Sequence, residues 1–281
     1  MVVAVLAFVT AIGLAAVQRV RAAADRAACA NNARQLATGV HGFAAVRHEL
    51  PRGCDYAPAS PATGGRGAAG LSWHTAILSD IGEAAIWREA VAAFAGDPTG
   101  WRQPDAHSRA GRSAPAVLRC PTEPVARESA SGFGFTSYQG VVGTGLYRND
   151  GLLVRRGTVR LTDVRDGTSQ TVLFGERPPG PGGRYGPWYG NWGNAYCGAA
   201  QLLPAGVTAR PTRGVGCDPA TPPLAPGDPA SDCSLGHFWS RHPGGATFAF
   251  ADGSVRFLPY TAAGLLPALA TRAGGEVAAL D

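Results

Sequence analysis

The first 47 residues carry the pattern of one long helix that is apolar at its start and amphipathic afterwards. Residues Met1 to Val17 contain no charged side chain. Apolar residues then recur at intervals of three and four as far as Phe43, which is the spacing of one helix face. The residue before a proline is disfavoured in the α conformation, so Pro51 predicts that the helix ends near His48.

A helix of this length cannot be covered by one small domain. At about 1.5 Å per residue it spans roughly 70 Å. We therefore divide the chain into a stalk helix, residues 1–47, and a globular α+β domain, residues 48–281. The first half of the stalk is expected to lie in a membrane, and the second half is expected to pack on the domain.

The apolar start is interpreted as a membrane anchor in preference to a cleaved signal peptide. A signal peptide starts with a basic n-region, and no basic residue precedes this run; it also ends in an extended cleavage site, whereas here the helical pattern continues without a break. Its 17 residues reach the lower limit for crossing a bilayer. Arg19, Arg21 and Arg26 follow the run and, by the positive-inside rule, favour a cytoplasmic C-terminus, so the orientation stays open.

The composition points to a loop-rich domain that does not bind nucleic acid. The 39 glycines and 22 prolines predict many turns and argue against a helical bundle. All 25 basic residues are arginines, and they are scattered singly except for Arg155–Arg156. A nucleic-acid surface would show a basic cluster with aromatic side chains between the charges. We expect no nucleic-acid partner.

The six cysteines favour disulfides over a zinc site. The sequence contains no Cys-x-x-Cys pair, and an even count behind a membrane segment suits an oxidising compartment. One bond is expected inside the Pro/Gly-rich segment 178–235, but the sequence does not choose the pairing, and buried free thiols are the alternative. The candidate disulfide cysteines are Cys54, Cys120, Cys197, Cys217 and Cys233.

Short helices and then strands follow the long helix. The segment Leu71–Phe94 predicts two short helices broken near Asp80–Gly82, and Val117–Pro121 predicts a short strand or a bend. Strands are predicted within Thr136–Gly145 and at Thr171–Phe174. Helices followed by strands, without βαβ alternation, predict an α+β fold with an antiparallel sheet and long loops.

The C-terminal part, residues 240–281, holds the clearest hairpin. Apolar residues alternate on both sides of Asp252-Gly253 within Ala246–Leu258, which predicts two strands joined by a type I′ turn. A helix from Ala262 to Arg272 is predicted to end at Gly274-Gly275. The preceding segment 178–235 is predicted to be an irregular insertion containing cysteines.

Several separated segments resemble one large bacterial family of pilin-like proteins. In the long helix they include Cys29-Ala-Asn31-Asn32-Ala-Arg34-Gln35-Leu36. Near the C-terminus His242 is followed by nine residues and then by Asp252-Gly253, which resembles the family's H-x9-DG motif. The landmarks between and after them are Leu71-Ser72-Trp73, Cys120-Pro121, Thr136-Ser137-Tyr138, Asp166-Gly167-Thr168-Ser169, Gly175-Glu176 and the tail from Ala268 to Glu276.

The resemblance implies a pseudopilin-like structural protein. Such a protein would be a single-pass inner-membrane protein with its globular domain in the periplasm or at the cell surface. Its implied role lies in type II secretion or a pilus-like assembly. The implied partners are the membrane, through Met1–Val17, and other pilin-like subunits, through the N-terminal helix. No catalysis and no cofactor are implied, and His242, Asp252 and Gly253 would be structural.

One feature of the family's N-terminus is missing from this sequence. Prepilins carry a short basic leader followed by Gly-Phe-Thr-Leu-x-Glu, where a peptidase cuts, and this sequence contains no such motif. We expect either a true start further upstream or a loss of processing. The glutamate of that motif is therefore also missing from this sequence.

The C-terminal motif also permits a catalytic or a metal-binding hypothesis. Ser240, His242 and Asp252 are the residue types of a hydrolase triad, but no Gly-x-Ser-x-Gly turn surrounds the serine. The hydrolase hypothesis predicts His242 and Asp252 in hydrogen-bond contact on the floor of a cleft. The favoured structural hypothesis has them face each other and close one end of the hairpin. A metal site of His237, His242 and Asp252 is a third hypothesis, and it is less favoured than the structural one because the two histidines are five residues apart and not a helical pair.

The segment 178–235 carries two binding hypotheses. Asp218, Asp228 and Asp232 offer oxygen ligands for calcium, although EF-hand spacing is absent and solvated loop carboxylates are favoured. The aromatic loop 188–196 would form a ligand- or carbohydrate-binding surface if Trp188 and Trp192 were exposed side by side. Aromatic residues in a glycine-rich loop more often pack into a small cluster of their own.

Overall fold

A computed structural model describes most of the chain. The described residues are 2–53, 71–97, 104–112, 114–124, 132–145, 148–155, 157–181, 186–189, 202–204, 217–218 and 220–276. The fold is α+β, with a long N-terminal helix packed on a largely antiparallel sheet, which confirms the predicted class.

The long helix α1 runs from Val2 to Arg47. It ends where Pro51 predicts, because His48 leaves the helical conformation with a φ of +58°. The His48 N–H still donates to the Ala44 carbonyl oxygen at 2.8 Å, which completes the last turn. The Leu50 N–H then donates to the Val159 carbonyl oxygen and directs the chain across the domain.

The two halves of α1 differ in burial. Described residues between Gly13 and Ala24 are exposed. From Cys29 onward one face is buried, and the helix packs against the 3-10 helix Leu78–Ile81 and the sheet. Within the described part of the chain, no helix combines the length and the apolar character needed to cross a membrane. The buried positions of this face are Cys29, Ala33, Leu36, Ala37, Val40 and Phe43.

Three further α-helices of the described chain follow α1 and pack on one another. These are α2 (Trp73–Ala76), α3 (Ala84–Gly96) and α4 (Pro104–Arg112). The predicted break between the first two is confirmed, because Gly82 ends the 3-10 helix between them in the left-handed conformation, with a φ of +87°. The segment predicted as a strand or bend before Cys120 is instead a 3-10 helix, Ala116–Leu118.

Five strands form one sheet with the order β3-β1-β2-β4-β5. The pairs β1–β2, β2–β4 and β4–β5 are antiparallel, as predicted, whereas the edge strand β3 is parallel to β1. The parallel pair was not predicted, because β3 lies in the insertion 178–235. The strand bounds are Tyr138–Gly143 for β1, Val172–Glu176 for β2, Leu202–Pro204 for β3, Gly245–Phe250 for β4 and Val255–Pro259 for β5.

The predicted hairpin is β4–β5, but its turn is not type I′. The Phe250 N–H donates to the Ser254 carbonyl oxygen at 2.9 Å, so three residues form the loop. Among them Gly253 has a φ of +84°, and Asp252 does not have a positive φ. A type I′ turn needs positive φ at both central residues, whereas a three-residue loop needs it only at the last. The Asp252 side chain stabilises the loop by accepting from the Ser254 N–H at 2.9 Å.

Both faces of the sheet are covered. One face carries Tyr138, Phe174 and Ala249 and packs beneath α1. The other carries Phe248 and Phe250 and packs against the C-terminal segment. A sheet buried on both faces loses the strict alternation of apolar and polar residues, and β4 is buried at all six positions.

The C-terminal helix is shorter than predicted. The chain forms a 3-10 helix at Tyr260–Leu265 and then α5 at Leu266–Leu269. Pro267 has no N–H for a continuous helix, which explains the division. The tail is held instead by Asp166, whose carboxylate accepts from the N–H groups of Gly274 and Gly275 at 2.7 and 2.9 Å.

Candidate functional site

A buried disulfide joins the middle of α1 to the segment that leads into the sheet. Cys29 Sγ is bonded to Cys120 Sγ, 91 residues away in the sequence. One turn after Cys29, the Asn32 amide donates to the Arg119 carbonyl oxygen at 2.9 Å. Cys29 is fully buried, and Cys120 is nearly so. The bond therefore fixes α1 to the domain at a point shielded from water.

Glu176, the last residue of β2, places a buried carboxyl group beside this disulfide. Its Oε2 accepts a hydrogen bond from the Thr247 N–H of the neighbouring strand at 2.7 Å. Its Oε1 has no hydrogen-bond donor. Burial raises the pKa of Glu176 to about 7, against the opposing effect of the Thr247 hydrogen bond. Burying a carboxylate oxygen without a hydrogen-bond donor costs free energy, so the position of Glu176 Oε1 calls for an explanation.

His242 faces both the disulfide and Glu176. Its Nε2 lies 3.3 Å from Cys120 Sγ and 3.8 Å from Glu176 Oε1. The loop that presents it is fixed by Ser240 Oγ, which accepts from the His242 N–H at 3.0 Å and donates to the Gly245 carbonyl oxygen at 2.7 Å. Burial, followed by the nearby Arg26 charge, lowers the pKa of His242. The imidazole is therefore neutral at pH 7.

Two contacts enclose the cluster. The Tyr138 hydroxyl donates to the Cys29 carbonyl oxygen at 2.9 Å, and burial, together with the Glu176 charge, raises the pKa of this tyrosine. Arg241, which precedes His242 in the chain, forms a bidentate ion pair with Glu123, and both nitrogen–oxygen distances are 3.0 Å. Paired charges at the rim and a buried hydroxyl beneath hold the cluster in a defined shape.

Two sulfurs, a carboxylate oxygen and an imidazole nitrogen thus meet in one place. The ligand atoms of Cys29, Cys120, Glu176 and His242 all lie within 4.8 Å of one another, and all four residues are buried. These are the donor types of a zinc site. While the two sulfurs are bonded to each other, neither is a thiolate, and the cluster acts as a covalent tie.

The structure separates His242 from Asp252, contrary to the structural and the catalytic hypotheses for this motif. His242 precedes β4 and Asp252 follows it, so six residues of extended chain, roughly 20 Å, lie between them. His242 is buried, whereas Asp252 is exposed in the hairpin loop. The two ends of a strand lie far apart, whereas both hypotheses treated His242 and Asp252 as neighbours. The hydrolase geometry is also lost because the Ser240 hydroxyl holds the loop.

The prediction of an exposed aromatic surface for sugar binding is wrong for Trp188 and Tyr189, the first residues of the loop. Trp188 and Tyr189 are fully buried, and the Trp188 Nε1–H donates to the Gly111 carbonyl oxygen at 3.1 Å. Tyr189 stacks on Phe94 and Phe133, so it belongs to the core under α3 and α4. Trp192 and the rest of the loop lie outside the described residues.

The acidic residues offered for calcium mostly stabilise their own turns. Asp218 accepts from the Ala220 N–H, and Asp228 accepts from the Ala230 N–H, each at 2.8 Å. Side chains that bond the backbone two residues on are typical of turns. Calcium binding there stays a prediction.

The disulfides confirm part of the predicted cysteine set and add one residue to it. Cys217 is bonded to Cys233, which is the expected bond inside the segment 178–235. Cys29 was left out of the set, although it bonds Cys120. Its place on the buried face of the helix, seven residues before Leu36, was the signal that could have found it. Cys54 and Cys197 lie outside the described residues.

Comparison with known proteins finds one family. The model of the family described as "SBP_bac_10: Protein of unknown function (DUF1559)" matches residues 18–264. Searches of curated proteins and of solved structures found no match to the chain. The matched range begins in the exposed half of α1 and includes the whole sheet.

Proposed function

Because the chain belongs to the DUF1559 family of pilin-like bacterial proteins, we propose that it is a pilin-like structural protein of the bacterial envelope, without catalytic activity. The finer proposal is a single-pass inner-membrane protein with its domain outside the cytoplasm. In this account it takes part in type II secretion or a related pilus-like assembly.

The observation that carries this proposal is the exposed apolar part of α1. Leu14, Val17 and Val20 are 63%, 47% and 69% exposed on a helix whose second half buries one face against the domain. The residues before them, from Met1, are uncharged. Apolar side chains concentrated on an uncovered surface favour a membrane or another protein as partner. The disulfide at Cys29 fixes α1 to the domain just after this exposed part.

A role without catalysis is supported by the state of the polar residues near the C-terminal motif. The Ser240 hydroxyl is committed to its loop, and Asp252 is committed to the hairpin turn. The buried His242 contacts a disulfide and a carboxylate, which gives it a stabilising role in the oxidised protein.

Cell fractionation tests the membrane proposal. We expect the full chain to remain with the membrane fraction after an alkaline wash, because α1 is held by apolar contact. Leu14→Arg should release a large share of it, since an arginine is unfavourable in the bilayer interior. Val46→Arg is the matched control, because Val46 is also an exposed apolar residue of α1, 77% exposed, but lies at the domain end. Recovery of the unaltered protein entirely in the soluble fraction would contradict the proposal.

Photo-crosslinking tests the assembly proposal separately. A photoreactive amino acid at position 14 should crosslink to a second copy or to another pilin-like subunit in cells, whereas the same group at position 46 should not. Lipid adducts alone at position 14 would support the anchor and contradict the assembly.

A further inference from the structure

We propose that Cys29, Cys120, Glu176 and His242 form a zinc-binding site when the Cys29–Cys120 disulfide is reduced. The same four residues then hold either a disulfide or a divalent metal ion. This inference does not depend on the envelope role proposed above, because it rests on the geometry of the buried cluster alone.

Two distances within the cluster lie in the range of a tetrahedral site, whereas the two bonded sulfurs, 2.06 Å apart, must separate to reach it. Zinc bonds of about 2.0–2.3 Å place neighbouring ligand atoms roughly 3.3–3.8 Å apart. His242 Nε2 is 3.3 Å from Cys120 Sγ and 3.8 Å from Glu176 Oε1. All four ligand atoms lie within 4.8 Å of one another. Small side-chain movements bring them to a common centre once the sulfurs separate.

The free oxygen of Glu176 gives a second, independent reason. Glu176 is 1% exposed, and its Oε1 has no hydrogen-bond donor, while its Oε2 is held by the Thr247 N–H. Metal-ligating carboxylates typically have one oxygen on the metal and the other held by the protein. The orphaned oxygen faces His242 at the place where an ion would lie.

The supporting contacts are also those of a metal site. The Ser240 hydroxyl fixes the backbone of His242, and the Tyr138 hydroxyl fixes the carbonyl of Cys29. Such contacts outside the ligand shell hold the ligands in position. Two thiolates and an imidazole select zinc over calcium and magnesium, which prefer oxygen ligands alone.

Reduction supplies the two thiolates. A dithiol donates two electrons and two protons to the sulfur–sulfur bond, which breaks to give two thiols, and the dithiol becomes a cyclic disulfide. Zinc binding then displaces both thiol protons into solvent. In the reverse direction a cyclic disulfide accepts two electrons from the two thiolates and two protons from solvent and becomes a dithiol; the Cys29–Cys120 bond re-forms and the ion is expelled, because a disulfide is not a thiolate ligand.

Cobalt binding to the full chain tests the proposal. The purified protein is reduced without oxygen by a phosphine, which becomes a phosphine oxide as one water molecule supplies its oxygen atom to phosphorus and its two hydrogens to the sulfurs. The excess reductant is removed and Co²⁺ is added. We expect one Co²⁺ per reduced chain, with the absorption of a tetrahedral, thiolate-bound ion, and no such ion on the oxidised chain.

Variants identify the ligands. Cys29→Ser/Cys120→Ser should abolish the thiolate absorption, and His242→Ala and Glu176→Gln should weaken binding at least tenfold. The Glu176→Gln change keeps the shape and the Thr247 hydrogen bond, so the oxidised variant should fold. The matched control is Cys217→Ser/Cys233→Ser, which removes the other described disulfide and should leave cobalt binding unchanged.

Three results would overturn the proposal. One is a reduced chain that stays folded and binds no Co²⁺. A reduced chain that unfolds, binds no Co²⁺ and does not regain its circular dichroism when Zn²⁺ is added would overturn it equally. The third is an unchanged cobalt spectrum in Cys29→Ser/Cys120→Ser, which would assign the thiolates to other cysteines.

Discussion

Described residues of α1 between Gly13 and Ala24 are exposed, whereas from Cys29 to Phe43 the same helix buries a complete face. Both halves are helical and rich in alanine and valine. The two halves differ in how closely other elements of the protein pack against them. The buried half has small residues that admit neighbours, such as Gly39 beside Ile81. On the exposed half, Leu14, Val17 and Val20 are uncovered by the described part of the chain, and the proposed function assigns them a partner outside it.

The disulfide lies at the border between the two halves. Cys29 is the first fully buried residue among those of α1 whose burial is described, and its bond to Cys120 is accompanied by the hydrogen bond of Asn32. At this border α1 is therefore held to the segment at Cys120 by a covalent bond as well as by packing. This comparison predicts that equal substitutions in the two halves have unequal effects.

The largest contrast is expected for leucine truncation. Leu36→Ala should reduce the free energy of unfolding by about 2–5 kcal/mol, because Leu36 is fully buried. Leu14→Ala, on the exposed half, should change it by less than about 0.5 kcal/mol in the absence of lipid. Urea denaturation followed by circular dichroism measures both. Equal losses would mean that the first half of α1 is also packed on the domain.

Acid should destabilise the domain on which the buried half of α1 packs, through His74 of α2. This residue is fully buried, and its Nε2–H donates to the Tyr138 carbonyl oxygen at 3.0 Å. Burial lowers the pKa of His74 to about 3, so below its ordinary value the unfolded chain takes up a proton that the folded chain does not. The His74 contribution to stability is therefore complete above about pH 6.5 and falls as the pH drops, by about 2 kcal/mol at pH 5.

His74→Gln measures this contribution. Its free energy of unfolding, followed between pH 7 and pH 5, should fall less steeply than that of the unaltered protein, by up to about 1.4 kcal/mol per pH unit. Parallel curves for the two proteins would show that the pKa of His74 is the same in the folded and unfolded chains, which would contradict the effect of burial.

The smallest effects are expected at two glycines, and they should have opposite signs. A Cβ at Gly39 would lie 2.5 Å from Ile81 Cγ2, and the β-branched isoleucine has few alternative rotamers. Gly39→Ala should therefore destabilise the domain by about 1 kcal/mol. A Cβ at Gly13 would meet nothing within 4 Å, so Gly13→Ala should leave stability unchanged or raise it by up to about 1 kcal/mol. Thermal unfolding compares them, and effects of the same sign would contradict the division of α1.

Local features were predictable from the sequence. The end of α1, the break at Gly82 and the β4–β5 hairpin each depend on a proline, a glycine or a short apolar alternation in the residues themselves. The burial pattern of α1 was visible in the same way, as a spacing of three and four residues. Such signals act within a few residues, and a sequence displays them directly.

Features that join distant segments were not predictable. The pairing of β3 with β1, the bond from Cys29 to Cys120 and the meeting of Glu176 with His242 each join residues far apart in the chain. The partner of a cysteine depends on the whole fold. The His242 motif was misleading for the same reason, because a strand places its two ends apart while the sequence shows them only ten residues apart.

The central claim is that the exposed half of α1 lies in an apolar environment outside the chain. Nitroxide labels attached through a noncanonical amino acid at positions 14 and 46, in protein reconstituted into lipid vesicles, test it most directly. The label at position 14 should collide often with oxygen, which concentrates in the bilayer, and rarely with a water-soluble nickel chelate, and the label at position 46 should show the reverse. Equal, high accessibility to the chelate at both positions would contradict the claim.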